Sequence, residues 1–276
     1  MNKVVLRKKV VTPTSSALDI VRNEIAVLDA LPRHPNVARL IEVIDDPASD
    51  KLYICLEHAG AALSPRAPLR DDDALLGVLA QSLRGLAFLH ARGVVHGDLK
   101  AEHLLLSPTE EDPEEDAAAF AVKIVDFGSS ATFDAAIGDS LTKSPGTPAY
   151  TAPECCTGEA YSGTKADVWA LGITAFALRY GRFPFASESA VDVYDEIQSR
   201  PNVAVPPDGA GGGGKSQSEA SETLSRAMRA MLAPRPEERV SAAEALGILE
   251  TAGRARAGGD MSTKSVAEIE REWVNG

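Results

Sequence analysis

The run His96-Gly97-Asp98-Leu99-Lys100-Ala101-Glu102-His103, followed downstream by Asp126-Phe127-Gly128, constrains this chain more than any other feature. Two apolar stretches between these acidic marks, Leu104-Leu105-Leu106 and residues 122–125, read as a small hairpin. Further marks follow in order: Ala152-Pro153-Glu154, then Asp167-Val168-Trp169-Ala170-Leu171-Gly172, then Arg239. A single tripeptide is weak evidence, whereas an ordered series spread over half the chain is not. A fold that uses Asp98 and Asp126 together must bring two distant acidic side chains into one crevice.

The 276 residues suffice for one large domain or for two lobes around one cleft. With 44% hydrophobic and 25% charged residues, the chain has the profile of an ordinary globular protein. A net charge of −12 argues against nucleic acid or an acidic membrane surface as a partner. Cys55, Cys155 and Cys156 make no disulfide framework and fit a reducing compartment, and the adjacent pair reads as small packing residues. No apolar run is expected to span a membrane, and the opening segment, which mixes Lys3, Arg7, Lys8 and Lys9 with apolar residues, is not a signal peptide. A cytosolic or nuclear location is the expectation.

Val4-Val5-Leu6 reads as a short strand. A helix follows, opened by Ser16-Ala17-Leu18-Asp19, apolar at Val21, Ile25, Leu28 and Leu31, and ended by Pro32 and Pro35. Residues 37–44 and 52–57 read as strands, and 60–68 as a linker. From Asp71 the pattern turns helical, with Leu75, Leu79, Leu83, Leu86 and His90 on one face and Gly93 as the stop. The acidic stretch Glu110-Glu111-Asp112-Pro113-Glu114-Glu115-Asp116 reads as a solvated loop insertion. Helices are expected over 164–179, 189–199, 219–232 and 242–249. Strands first and helices later give a segregated α+β plan.

These motifs resemble the protein kinase family, and the likeness runs from Lys3 to the Glu272-Trp273-Val274 tail. The chain is similar to upstream serine/threonine kinases related to calcium/calmodulin-dependent protein kinase kinase. Lys3-Val4-Val5-Leu6-Arg7-Lys8-Lys9, His34-Pro35-Asn36-Val37 and Val43-Ile44-Asp45-Asp46-Pro47 carry that likeness. The resemblance implies a bilobal fold, with an N-terminally incomplete β-sheet lobe bearing one helix (1–57), a hinge (58–63) and a larger, mainly helical lobe (64–276). It implies transfer of the ATP γ-phosphate to a protein serine or threonine with Mg²⁺ as cofactor. The acceptor would be a protein, for instance a downstream kinase.

On this resemblance Asp98 would orient the acceptor hydroxyl, Lys100 would neutralise the transferring group and Asp126 would hold Mg²⁺. Lys3, with Lys8 as the fallback, would pair with Glu24 on the nucleotide side. Glu57 and Ala59 would meet adenine through backbone groups, with Leu56 behind it and Leu105 lining the same site. Thr147 would hydrogen-bond Asp98 and Lys100 in the substrate-facing loop, and Thr142 and Ser144 are phosphorylation candidates. Glu154 would pair with Arg239, Asp167 would brace the loop around Asp98, and Leu28, Leu40, His96 and Phe127 would stack as a spine.

Three departures stand out. No Gly-x-Gly-x-x-Gly loop precedes Lys3, so the sheet would expose an edge. His103 stands where an asparagine would take a second Mg²⁺, for which an imidazole is a poor ligand. Gly97 replaces an arginine that would hold loop phosphate, which predicts little dependence on loop phosphorylation. The first two favour an alternative, a pseudokinase that binds or scaffolds with weak or no turnover. A small-molecule kinase is disfavoured by the Thr147 loop and Ala152-Pro153-Glu154. Gly209-Ala210-Gly211-Gly212-Gly213-Gly214-Lys215-Ser216 satisfies the spacing of a P-loop, but a strand broken by Pro206 and Pro207 precedes it, so a flexible loop is the better reading.

Overall fold

The computed structural model of the chain describes residues 6–11, 15–46, 51–108, 120–142, 146–187, 189–206 and 218–256. Lys3, Ser144, the acidic stretch at 110–116, the glycine run and the C-terminal tail lie outside them.

The first part of the chain comprises β1 (Leu6–Val11), α1 (Ser15–Ala30), β2 (Leu40–Asp46) and β3 (Lys51–Leu56). The strands form an antiparallel sheet in the order β1-β3-β2, with Ile54 opposite Lys8 on one side and Val43 on the other. Ile54, Cys55 and Leu56 of the central strand are buried. β1 includes Leu6, and Val4 and Val5 of the expected strand lie outside the described residues. One boundary differs from the sequence expectation: β2 starts at Leu40, three residues after Val37. Residues 36–38 are drawn elsewhere: Ile124 N donates to Asn36 O at 3.0 Å and Ala38 N donates to Ile124 O at 2.9 Å. Backbone groups committed to that partner cannot also join β2.

The rest of the chain comprises β4 (Ala61–Ala62), α2 (Asp72–Ala91), β5 (Val94–Val95), β6 (Leu104–Pro108), β7 (Phe120–Ile124), β8 (Ala131–Thr132), β9 (Ser140–Leu141), β10 (Tyr161–Ser162), α3 (Gly163–Tyr180), α4 (Ala190–Ser199), α5 (Glu219–Met231) and α6 (Ala242–Arg256). β4, β6 and β7 form one small sheet, and β5–β8 and β9–β10 pair as two-stranded ladders. The architecture is α+β and rich in helix. The connector after β3 is shorter than expected, because Ala61 already pairs with Leu106.

α2 organises the larger part. Asp71 caps it by accepting from Asp73 N at 3.0 Å, and Asp72 and Asp73 complement the positive end of the helix dipole. Leu75, Leu79, Leu83 and Leu86 are almost fully buried, each stabilising the fold by about 1.5–3 kcal/mol. The helix stops because Gly93 turns to φ +70, where a Cβ would lie 2.3 Å from Phe133 O. By length and composition α2 is long and apolar enough to cross a membrane, contrary to the sequence expectation. Its apolar character has another cause: it packs against α3, α5, α6 and β7. Asn36 ties the two parts together, its Nδ2 donating to Val122 O at 2.9 Å and to Gln81 Oε1 at 3.1 Å.

Candidate active site

Between β5 and a 3-10 turn at Ala101–His103 the chain passes through His96, Gly97 and Asp98. Asp167, near the start of α3 and 2% exposed, fixes this loop. Its Oδ2 accepts from His96 N at 2.8 Å and its Oδ1 from Gly97 N at 2.9 Å, while His90 Nε2 of α2 lies 3.0 Å from Oδ2. Gly97 takes φ +80, and a Cβ there would sit 2.4 Å from Ser129 O. A side chain there would strain the backbone and force Ser129 O to shift, so the position favours glycine on geometric grounds.

The Asp98 carboxylate is held in a closed ring. Its Oδ1 accepts from Thr147 N at 2.9 Å and from Thr147 Oγ1 at 2.8 Å. Its Oδ2 accepts from Lys100 Nζ at 2.8 Å, and Lys100 donates also to Thr147 Oγ1 at 3.0 Å. Two charges and one hydroxyl thus orient each other before any ligand arrives. On the Thr147 side lies a cavity of about 330 Å³, lined among others by Gly97, Asp98, Thr147, Tyr150, Cys155 and Ala170. Thr142 is exposed and borders the same cavity.

Asp126 is the non-glycine residue with positive φ among the described residues, at φ 67 and ψ 76. Aspartate tolerates this region better than bulkier residues, at a cost of about 1–3 kcal/mol. Gly128 N donates to its Oδ1 at 3.4 Å. Phe127 is fully buried, 5.3 Å from the His96 ring, and shares the core with Leu28, against which Leu40 packs. His96 Nε2 donates to Val125 O at 3.0 Å, so this ring too is fixed.

His103 lies between the two carboxylates. Its Nδ1 is 2.8 Å from the Asp98 carbonyl oxygen and 3.9 Å from Asp98 Oδ2, and its Nε2 is 3.5 Å from Asp126 Oδ2. Burial and the neighbouring His96 push its pKa below the usual imidazole value, against the pull of Asp126 and of the bond to Asp98. The two acidic side chains therefore do converge, with one imidazole between them.

On the nucleotide side, Glu24 of α1 is 1% exposed. Asn23 anchors α1 by donating to Ser130 O at 2.8 Å, just beyond Asp126-Phe127-Gly128. Glu57 follows β3; its N–H is committed to Arg39 O at 3.0 Å, and its carboxylate pairs with Lys123 Nζ at 2.5 Å. Ala59 and Leu105 are buried, and Leu105 pairs with Ala62 and Lys123 within its sheet. Lys8 sits in β1 opposite Ile54.

Glu154 and Arg239 form a bidentate pair, Nη1 to Oε1 at 2.6 Å and Nη2 to Oε2 at 3.0 Å. Arg239 is 1% exposed, donates also to the carbonyls of Ala233, Lys165 and Pro234, and stacks 4.9 Å above the Trp169 ring. Burial and Glu154 push the Cys155 thiol up to about 12, and the same causes push Cys156 up to about 11, so both stay protonated at neutral pH and act as packing groups.

Sequence reasoning missed several supports. Lys123 closes on Glu57 across two sheets. Asp139 accepts from Ser162 Oγ, Thr164 N and Thr164 Oγ1, fastening the β9 segment to the start of α3. Tyr150 donates to Glu102 at 3.3 Å. Only Asp139 had a local signal, in the cap-like Ser162-Gly163-Thr164.

The protein kinase domain family matches residues 1–248. Serine/threonine-protein kinase GRIK1 of Arabidopsis thaliana is 38% identical over 202 residues, covering 70% of this chain and 47% of that protein. A calcium/calmodulin-dependent protein kinase kinase of Caenorhabditis elegans is 38% identical over 192 residues, covering 67% of this chain and 33% of that protein. CBL-interacting protein kinase 2 of Oryza sativa subsp. japonica is 37% identical over 185 residues, covering 65% and 39%. The chain spans less than half the length of these curated relatives. With the carboxylates of Asp98 and Asp126 meeting at His103 and a family match across most of its length, the chain belongs to the protein kinase family.

Proposed function

We propose that the protein transfers the terminal phosphoryl group of ATP to a serine or threonine hydroxyl of a protein substrate. The observation that carries this reading is the closed ring of Asp98, Lys100 and Thr147, with Asp126 across His103. Asp98 accepts the hydrogen bond of the incoming hydroxyl and aims its oxygen, Lys100 offsets negative charge at the reacting centre, and Thr147 keeps both in place. The acceptor oxygen would bond to the γ-phosphorus as the bond from that phosphorus to the β,γ-bridging oxygen breaks and ADP leaves, the hydroxyl proton moving toward the Asp98 carboxylate.

The donor set suits Mg²⁺ only in part. Asp126 supplies a hard carboxylate oxygen, side chain 38% exposed, which suits Mg²⁺. His103 supplies nitrogen, which does not. When bound, the metal neutralises triphosphate charge and ATP provides the group transferred. The adenine edge offers one donor and one acceptor; because Glu57 N–H is committed to Arg39, the Glu57 carbonyl and the Ala59 backbone are the groups assigned to it. Glu24 is assigned to the Lys3 ammonium, and Thr142 and Ser144 to regulatory phosphorylation. Gly97 offers no cation to receive such a phosphate. The substrate is taken to be a protein, a downstream kinase by analogy with the relatives, and three cysteines outside any disulfide suit the cytosol or nucleus.

The intact ring around Asp98 favours turnover over a scaffold role. In a test, Asp98→Asn abolishes transfer of radiolabelled phosphate to a protein acceptor and keeps the thermal stabilisation by Mg·ATP. Full transfer activity in that variant sinks the proposal.

A further inference from the structure

His103 and Asp126 together carry a consequence for the metal, which rests on the ATP-dependent reading above. His103 Nδ1 lies 2.8 Å from a carbonyl oxygen, which can only accept, so Nδ1 carries the ring proton. Nε2 then presents a lone pair to the cleft. Across from it, Asp126 Oδ2 presents another at 3.5 Å. This is too long for a hydrogen bond, which favours about 2.7–3.2 Å. It is close to the edge of a coordination polyhedron, where bonds of about 2.1 Å put neighbouring ligand atoms roughly 3.0–3.4 Å apart. The carbonyl of Asp98 also occupies the outer position typical of a metal-binding imidazole, where a backbone oxygen accepts the other ring N–H and fixes the tautomer.

We propose that His103 Nε2 and Asp126 form a mixed nitrogen–oxygen site that selects Mn²⁺ or a similar transition-series ion over Mg²⁺ beside the nucleotide. Imidazole nitrogen adds little for Mg²⁺, which keeps oxygen ligands and holds its waters, while first-row transition ions accept it readily. The described residues contain no cluster of three or more His, Cys, Asp or Glu side chains able to hold a metal. Two protein donors therefore need phosphate oxygens to complete the shell, and tight metal binding depends on nucleotide.

The test uses the full chain, MnCl₂ and β,γ-methylene-ATP, a non-hydrolysable analogue with no bridging nitrogen. Pulsed electron paramagnetic resonance on protein with natural and ¹⁵N-labelled histidine reads whether an imidazole nitrogen is bonded to Mn²⁺. The expected result is a nitrogen modulation that changes with the label, needs the nucleotide and is lost in His103→Asn. In parallel, the ratio of Mn²⁺ to Mg²⁺ affinity, measured by calorimetry with the same analogue, falls about tenfold in His103→Asn. Nucleotide binding without a histidine signal, or an unchanged affinity ratio in the variant, overturns the proposal and leaves the kinase reading intact. Failure of the analogue to bind with either metal overturns both.

Discussion

Asp167 holds two consecutive backbone amides, His96 N and Gly97 N, one on each carboxylate oxygen. It touches neither the acceptor hydroxyl nor the metal side, yet it sets where the following residue, Asp98, can point. Asp167→Asn swaps one acceptor oxygen for an N–H facing another N–H. We expect a loss of about 1–3 kcal/mol in unfolding free energy by urea titration, together with a fall in kcat larger than the change in the KM for ATP. An unchanged unfolding midpoint would contradict this.

Thr147 offers a sharper separation of positioning from packing. Thr147→Val keeps the volume and removes the hydroxyl that links Asp98 to Lys100. The expected outcome is a fall of about 10–100-fold in kcat with a small effect on the melting temperature. Thr147→Ser restores most of the rate, since the hydroxyl returns. Steady-state kinetics on both variants check it; equal rates for the two would place the effect in shape and not in the hydroxyl.

The Glu154–Arg239 pair has a structural consequence. Removing the carboxylate leaves a guanidinium that is 1% exposed without its counter-charge. Breaking a buried pair on one side costs about 3–5 kcal/mol. Glu154→Ala should therefore lower the melting temperature sharply, and Glu154→Gln, which keeps an acceptor, less so. Differential scanning calorimetry distinguishes the two.

Acid stability follows from Asp139. Burial alone would raise its pKa, but the hydrogen bonds from Ser162 and Thr164 outweigh it and hold the carboxyl below its usual value of 3.8. A group with a depressed folded pKa contributes stability that is present above 3.8 and lost as pH falls through the lower folded value. Asp139→Asn should thus lower stability at neutral pH and flatten the acid limb of the stability curve. Melts from neutrality down to strongly acid pH check this, and parallel curves for the two proteins would refute it.

Much of the helical part was legible because periodicity and caps agree there. Asp71, the leucines of α2 and Gly93 each point to the same helix, and packing had nothing to override. The convergence of Asp98 and Asp126 was readable from motif order. The ladders β5–β8 and β9–β10 were not, since two-residue strands carry no period. The start of β2 was misplaced because Asn36 and Ala38 bond to Ile124, a partner far away in the chain that no local pattern reveals. Lys123 opposite Glu57 escaped for the same reason.

That early detour has a mechanical meaning. The part built on β1–β3 and α1 meets the rest of the molecule at the strip around Asn36, at the point where the chain leaves Leu56, and again at Asn23, which donates to Ser130 O just beyond Asp126-Phe127-Gly128. Two moorings alone would leave a rocking about the line through both. The third ties that rocking to the segment bearing Asp126, so a swing of α1 and a shift of that carboxylate are one motion.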